Sequence, residues 1–293
     1  MRILHLDSGA EMRGGQWQVL RLIEGLRDRG HANLLLSRKG SPLAVEAQRR
    51  GFETHELTLL SVARSRADIT HAHDARSHTT AALAGPARLV VSRRVGFPVQ
   101  VNPLSRWKYR RAAHYIAVSH FVERRLLDSG IAASKITVVY DGVPMLPPSK
   151  GAEIVVPQSQ DPAKGMELAL KGVRLAGFQA RVSGNLEKDL TQAGLFLYIT
   201  YAEGLGSAAL LAMAAGVPVI ASNVGGLPEI VEHERTGLLT ENTSEAISAA
   251  VRHLTGDREF AGSLAAQARL AVEQKFSVDR MVADTLGLYE ALL

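Results

Sequence analysis

Residues 203–226 read EGLGSAALLAMAAGVPVIASNVGG. One carboxylate, Glu203, stands before a Gly-Leu-Gly turn, and the stretch that follows carries no charge at all. Residues 208–215 read as a helix and 217–221 as a strand. A helix without a polar face is buried on every side. A short, continuously apolar strand is covered on both faces, as in a parallel sheet. Residues 195–199 form another such strand, so the loop 201–206 joins the carboxyl end of a strand to the amino end of a buried helix. Unpaired backbone N–H groups and the positive end of the helix dipole favour anions or sugar hydroxyls at such a point. Gly204 and Gly206 let a ligand come close to the backbone, and Glu203 adds a strong acceptor. The plainer reading is a tight loop with a surface glutamate.

The same alternation extends in both directions. Toward the N-terminus, strands are expected at 2–7, 31–37, 53–57, 69–73, 89–92, 115–118 and 136–140. Helices are expected at 16–29, 43–50, 106–113 and 121–129. Residues 143–151 then break the rhythm with prolines at 144, 147 and 148, which suit a linker. Beyond it the pattern restarts with strands at 153–156, 178–182 and 237–239 and helices at 165–176, 186–192, 228–232, 244–254 and 258–273. The last helix, 278–292, is apolar on one face. Strands alternating with helices imply parallel sheets covered on both sides. The expected architecture is α/β: two doubly wound, Rossmann-like parallel-sheet domains facing a cleft. They span 1–148 and 149–277, with 278–293 as a closing helix. Ligands of such sheets bind at the carboxyl ends of the strands.

Composition narrows the function. The 293 residues include no cysteine, which removes disulfides, thiolate catalysis and cysteine-ligated zinc and suits a reducing cytoplasm. No run reaches the roughly 20 apolar residues of a membrane span, and MRILHLDSG at the start reads as a strand, not a signal peptide. A cytoplasmic protein is expected. The net charge of +5 is unevenly spread. Residues 1–148 hold 22 lysines and arginines against 12 acids, and the rest hold 12 against 17. Eight of the ten histidines also lie in the first part. A basic half implies an anionic partner there: nucleic acid, an anionic membrane surface or a phosphorylated ligand. No nucleic-acid-binding module accompanies the charge, so nucleic acid is set aside.

The run 203–226, continued by Gly225-Gly226-Leu227-Pro228-Glu229 and Thr236-Gly237-Leu238, resembles the nucleotide-sugar site of GT-B glycosyltransferases of the large retaining family 4. Further pieces agree in order along the whole chain. They are Gly14-Gly15, His71-Ala72-His73, Ile116-Ala117-Val118-Ser119, Val138-Val139-Tyr140-Asp141-Gly142, Pro162-Ala163-Lys164-Gly165, and Phe276-Ser277 with Leu288-Tyr289. The resemblance implies roles. Glu203 would contact the transferred sugar, helped by Gly204 and the N–H groups of Leu205 and Gly206. Lys164 would neutralise the donor diphosphate, whose growing charge needs a fixed cation as it leaves. Gly15, beside Gly14, would approach the phosphate, and His73 would lie near the reacting centre. The donor would be a nucleoside-diphosphate sugar of UDP or GDP type. No metal or other cofactor is implied, and the acceptor would be an envelope glycan or lipid-linked.

Two positions depart from the family. Its second glutamate, eight residues after the first, is Leu211 here, and its usual arginine six residues before the lysine is Gln158. One strand-helix unit between Lys164 and Glu203 is also missing, leaving Val182, Ser183 and Glu187 to meet a base or ribose. A silent relative that binds without turnover, or a nucleotide-sugar epimerase, are the alternatives. Elsewhere, His71 and His73 share one face of a strand end with His78 near, a set that could be structural, substrate-binding or zinc-binding. Arg93 and Arg94 follow a strand and are expected to point toward the cleft. Glu229 is either a helix-start carboxylate or a ribose contact. Arg106-Trp107-Lys108-Tyr109-Arg110-Arg111 is either a solvated helix face or an acceptor and anionic-membrane patch at the inner face of the membrane.

Overall fold

Short strands, apolar and buried except at the edges β3 and β9, build two parallel sheets in this protein, seen in a computed structural model that describes residues 1–99 and 102–293. The chain divides into two units, Met1–Gly142 with Val278–Leu293, and Val143–Ser277. The first contains β1 (Arg2–Asp7), α1 (Gly14–Asp28), β2 (Ala32–Ser37), α2 (Pro42–Arg49), β3 (Glu53–Glu56), α3 (Leu59–Arg64) and β4 (Ile69–Ala72). It continues with α4 (Ala75–Ala84), β5 (Leu89–Arg93), α5 (Pro103–Arg110), β6 (His114–Ala117), α6 (His120–Asp128) and β7 (Ile136–Val138). The strands lie in the order β3-β2-β1-β4-β5-β6-β7, with every pairing parallel. All residues of β4 and β6 are buried, as strands covered by helices on both faces must be.

The second unit contains β8 (Glu153–Pro157), α7 (Met166–Leu175), β9 (Ala180–Ser183), α8 (Leu186–Asp189), β10 (Ala193–Tyr198), α9 (Ser207–Ala214) and β11 (Val219–Ser222). It ends with α10 (Leu227–Ile230), β12 (Leu238–Thr240), α11 (Ser244–Gly256) and α12 (Arg258–Lys275). Its order is β12-β11-β10-β8-β9, again parallel. The charge-free helix is α9, with Ala209 through Ala214 all buried. The doubly wound, two-domain α/β architecture is as the alternation predicts.

The chain then returns to the first unit as α13 (Val278–Ala291). Its Met281, Val282, Leu288 and Tyr289 share a core with Ile3, Leu22, Leu26 and Ile69. A Cβ at Gly25 of α1 would lie 2.5 Å from Val282, so that glycine is what lets the two helices close. The proline-rich stretch after Gly142 belongs with the second unit. Val143 bridges Ser277 there, Ser149 Oγ donates to the Ala193 carbonyl at 2.7 Å, and Arg269 donates to the Leu146 carbonyl at 2.7 Å.

Several limits shift for local reasons. The helix expected at 106–113 starts earlier, at Pro103, because Asn102 caps it and proline suits its first position. The strand expected at 178–182 begins at Ala180, since Gly177 and Phe178 still bond back to α7. The strand expected from Val217 begins at Val219, since the Val217 N–H closes α9 on the Ala212 carbonyl. Helices α3 and α4 were not foreseen. Asp74 caps α4 through the N–H groups of Arg76 and Ser77, and Gly85 ends it with φ 70°.

Candidate functional site

In the second unit β8 and β10 are neighbours, while the chain leaves β8 for β9 on one side and β10 for β11 on the other. This is the topological switch point, where the carboxyl ends of an open sheet leave a crevice. The loops after β8 and β10 carry Lys164 and Glu203. Asp161 accepts from the Ala163 N–H and starts a single turn ending at Lys164. Gly165 follows with φ 58°, and a Cβ there would lie 2.8 Å from the Ile199 carbonyl oxygen. Only glycine therefore lets this turn rest on the end of β10. The Tyr201 N–H and the Thr200 hydroxyl both donate to the Ala163 carbonyl, at 2.9 and 3.1 Å.

The two loops bring the two charges together. Lys164 Nζ lies 2.8 Å from Glu203 Oε2. The Tyr198 hydroxyl donates to the same oxygen at 2.6 Å, and the Gly204 N–H donates to Oε1 at 2.9 Å. Burial, then the Glu203 charge, pushes the Tyr198 phenol well above its ordinary value, so it remains a donor. The Glu203 side chain is 14% exposed and that of Lys164 37%. The carboxylate is thus held by three donors while the ammonium stays within reach of solvent.

Gly225 and Gly226 form the wall behind this loop. A Cβ on them would lie 2.0 Å from the Glu203 carbonyl oxygen and 2.1 Å from that of Gly204. The Gly226 N–H donates to the Glu203 carbonyl at 3.2 Å. A buried ring ties the strand ends: Thr200 N–H to Ser222 Oγ at 2.9 Å, Ser222 Oγ to Asn242 Oδ1 at 2.6 Å, and Asn242 Nδ2 to the Thr200 carbonyl at 2.9 Å. Gly206, with φ 113°, stands at the start of α9, which no side chain caps. Leu205 is buried beneath it. Leu211 lies one turn further in and is 9% exposed, a core position. Val182 is exposed on the edge strand β9, whereas the Ser183 side chain is buried. Gln158 is exposed, and its N–H pairs with the Ser183 carbonyl at 2.8 Å. Glu229 lies in the first turn of α10 and Glu187 in the first turn of α8.

The first unit has its own switch point, between β1 and β4. Gly14 opens α1 there, and Gly15 lies beside Arg94, whose Cδ would be 3.8 Å from a Cβ at 15. Asp7, at the end of β1, accepts from the Gly9 N–H at 2.8 Å and from the Gln16 amide at 3.1 and 3.2 Å. Burial, then the neighbouring Asp74, raises its pKa. Arg94 Nε pairs with Asp141 at 3.1 Å, and its Nη1 lies 3.5 Å from His73 Nδ1.

His5, His71 and His73 are buried together, each offering one nitrogen within 4.8 Å of the others. That spacing could hold a metal ion, but each nitrogen is already bonded. His5 Nδ1 meets His73 Nε2 at 3.1 Å, and His5 Nε2 meets Asn33 Oδ1 at 3.0 Å. His71 is bonded through Nδ1 to the Tyr289 hydroxyl of α13 at 2.6 Å and through Nε2 to Ser92 at 2.7 Å. Burial holds His5 down at about 4. It also holds His71 and His73 well below the usual histidine range, assisted for His71 by His5 and Arg94 and for His73 by His71, Arg94 and His5.

Three expected placements change. His78 does not join this cluster; it lies in α4 against the rings of Tyr109 and Tyr115. Of the arginine pair, only Arg94 meets the histidines. Arg93 turns to the Tyr109 hydroxyl at 3.1 Å and to the Phe97 carbonyl. On α5, Lys108 is tied to α4 through the Ala75 carbonyl and Thr79 Oγ1, at 2.9 and 3.0 Å, while Trp107 stays 39% exposed. Two contributors were not foreseen. Tyr198 is separated from Glu203 by one loop, and His5 reaches the cluster only because β1 pairs with β4, His5 opposite His71.

Comparison with known proteins bears on this arrangement. Residues 12–145 match the family model described as Glycosyltransferase Family 4, and residues 151–257 match that described as Glycosyl transferases group 1. One curated relative is the GDP-mannose-dependent alpha-(1-6)-phosphatidylinositol monomannoside mannosyltransferase of Mycobacterium tuberculosis H37Rv, 44% identical over 82 residues. That match covers 28% of this chain and 21% of the relative. Another is the N-acetyl-alpha-D-glucosaminyl L-malate synthase of Bacillus anthracis, 32% identical over 111 residues, 37% of this chain and 29% of that one. The chain thus spans less than a third of the length of these relatives. Among solved structures, Anabaena HepE in complex with UDP and glucose superposes with a TM-score of 0.88, covering 99% of this chain and 100% of that one at 17% identity. The two family models in succession, on this shared two-sheet fold, make the chain a member of the GT-B glycosyltransferases.

Proposed function

We propose that the protein moves a hexose-like sugar from a nucleoside-diphosphate sugar, of UDP or GDP type, to an envelope glycan or lipid-linked acceptor, with retention of configuration. The Lys164–Glu203 pair at the switch point of the second unit carries this reading. A leaving diphosphate gains negative charge as the glycosidic bond breaks, and a fixed ammonium stabilises that charge. Lys164 is the cation placed to do so. Glu203, kept in position by Tyr198 and the Gly204 N–H, accepts from sugar hydroxyls. Gly204, Leu205 and Gly206 bring backbone close to the sugar. HepE, of the same fold, has been solved with UDP and glucose, and the M. tuberculosis relative is GDP-mannose-dependent. Both accord with such a donor.

The first unit holds the acceptor side through Arg94 at its switch point, where Gly15 meets the donor phosphate and His73 the reacting centre. Its helix α5 presents Leu104 at 74% exposure together with Trp107, Arg106, Arg110 and Arg111. An apolar tip among arginines suits an anionic bilayer surface at the cytoplasmic face. No helix among the described residues is long and apolar enough to cross a membrane. A second reading, binding without turnover, rests on Leu211 and Gln158.

Calorimetric titration with UDP, GDP and their sugar conjugates tests the proposal, with Lys164→Ala and Glu203→Ala beside the wild type. A lost charged hydrogen bond is worth about 1.5–3 kcal/mol, so each variant should bind the best ligand roughly 10- to 150-fold more weakly. Binding with no sugar released or transferred would favour the silent relative. Absence of binding by every ligand in a folded protein would refute the donor site.

A further inference from the structure

The hydrogen bonds around His73 specify where its proton sits. Asn33 Nδ2 donates to the His31 carbonyl at 2.9 Å, which fixes the amide so that Oδ1 faces His5 Nε2 at 3.0 Å. A carbonyl oxygen only accepts, so His5 Nε2 carries the proton. His5 is fully buried and titrates at about 4, so at neutral pH its other nitrogen, Nδ1, is bare. That bare nitrogen lies 3.1 Å from His73 Nε2, which must therefore donate. His73 is then left with a lone pair on Nδ1. Arg94 Nη1, which can only donate, lies 3.5 Å from that atom.

We propose that Asn33 and His5 are positioning residues that hold His73 as the neutral tautomer protonated on Nε2, so that it meets a ligand through Nδ1 as an acceptor and never as an acid. The link to Arg94 is the longest of the chain, and Arg94 is itself drawn away by Asp141 at 3.1 Å. Nδ1 is therefore the His73 atom that a hydroxyl can claim. His71 packs on the same ring, with centroids 3.9 Å apart, but its own nitrogens are taken by Tyr289 and Ser92 and do not enter the relay. That the ligand is a sugar rests on the functional reading above; the tautomer does not.

The test is a long-range 1H–15N correlation spectrum of the full chain labelled on histidine nitrogen, at pH 7 without ligand, with His73→Gln to assign the ring. His73 is expected with Nε2 protonated and Nδ1 bare, and His5 likewise. In Asn33→Asp the new carboxylate favours a doubly protonated His5, whose Nδ1–H then forces His73 Nε2 to accept, so His73 should invert to the Nδ1–H form. A wild-type His73 protonated on Nδ1, or on both nitrogens, overturns the relay. So does stoichiometric zinc in protein purified without chelator, since a metal would take the lone pairs assigned to hydrogen bonds. Should Asn33→Asp fail to fold, the wild-type spectrum decides alone. Failure of the calorimetric titration would remove the donor reading and leave this spectrum, recorded on free protein, unchanged.

Discussion

Gly226→Ala is the substitution that most directly probes how the proposed donor loop, which carries Glu203, is held. The backbone of Gly226 is at φ −87°, ordinary for any residue, so alanine there meets no conformational penalty. The cost is steric alone. The new Cβ would sit 2.1 Å from the Gly204 carbonyl oxygen and 3.1 Å from the Leu205 Cα. Real contacts of this kind do not fall below 3.0 Å, so one backbone must retreat by about 1 Å, a misplacement that can cost on the order of 100-fold in rate. Residues 225–227 are anchored to α10, whose Leu227 and Ile230 are buried, so the loop carrying Glu203 is the side that yields. Overpacking of this size destabilises by about 1–3 kcal/mol, a fall in Tm of roughly 2–4 °C per kcal/mol. The assay is donor binding by calorimetry beside thermal unfolding. The expected result is a folded protein, a few degrees less stable, with donor binding or transfer reduced on the order of 100-fold. Gly216→Ala is the control, at a φ of 64° with its nearest neighbour 3.9 Å away. It should lose about 1–2 kcal/mol of stability from backbone strain and keep donor binding. A Gly226→Ala protein that binds donor like the wild type would show that Glu203 is not positioned by this wall.

Asp141→Asn should cost about 3–5 kcal/mol in urea unfolding, because it leaves the Arg94 guanidinium, 14% exposed, without its charge partner; a loss below 1 kcal/mol would mean that Arg94 finds another partner. Acid should destabilise the first unit well above the range of carboxylate titration. Unfolded histidines take protons near pH 6.5, whereas folded His5 does so only near 4 and His78 near 3, with His71 and His73 also held down. Between these values the unfolded chain binds more protons, so stability falls as pH drops below about 6.5, by up to about 1.4 kcal/mol per unit for each histidine. Denaturant curves at pH 7 and 5 that coincide would contradict this burial. Arg110→Glu with Arg111→Glu should weaken cosedimentation with phosphatidylserine vesicles at least about 30-fold, at roughly 1 kcal/mol per arginine; equal binding would return α5 to a solvated face.

The elements legible in the sequence are those whose own residues define them. The charge-free 208–215 segment announces a buried helix, and α9 is one. The loop before it was readable as a tight turn because Gly204 and Gly206 follow a lone carboxylate, and the structure holds that carboxylate against Lys164. Helices α3 and α4 were missed because neither shows an apolar period: α3 buries only Val62, and the buried face of α4 is Ser77, His78, Ala81 and Ala82. Their signal was chemical instead: Thr58 with Ser61, and Asp74 with Ser77 ahead of Gly85. What could not be read was contact between distant segments. Asn33, His5 and His73 meet because β1 lies between β2 and β4 in one particular register. The purpose of Gly225-Gly226 likewise emerges only when the Glu203 backbone is found against them. Arg93 and Arg94 are indistinguishable in sequence, yet Arg93, the last residue of β5, turns to Tyr109 and Arg94, just past it, to His73.

The two departures from the family pattern also gain a physical sense from this geometry. Gln158 stands where the resemblance implies a cation and Leu211 where it implies an anion, so together they leave the formal charge of the set unchanged. What remains is one of each, Lys164 and Glu203, and they neutralise one another at 2.8 Å. On the proposed reading, a diphosphate does not enter a field of surplus positive charge; it must draw the Lys164 ammonium from a partner already in place. Glu203 tolerates that loss, because Tyr198 and the Gly204 N–H continue to satisfy it, and the coordination site that Lys164 vacates is open to a sugar hydroxyl. Donor binding then becomes an exchange of partners in which phosphate and sugar must arrive together. A nucleoside diphosphate alone would take the lysine and leave the glutamate one donor short. The sugar conjugate supplies both, so discrimination between the two should be greater here than where surplus cations hold the phosphate by themselves.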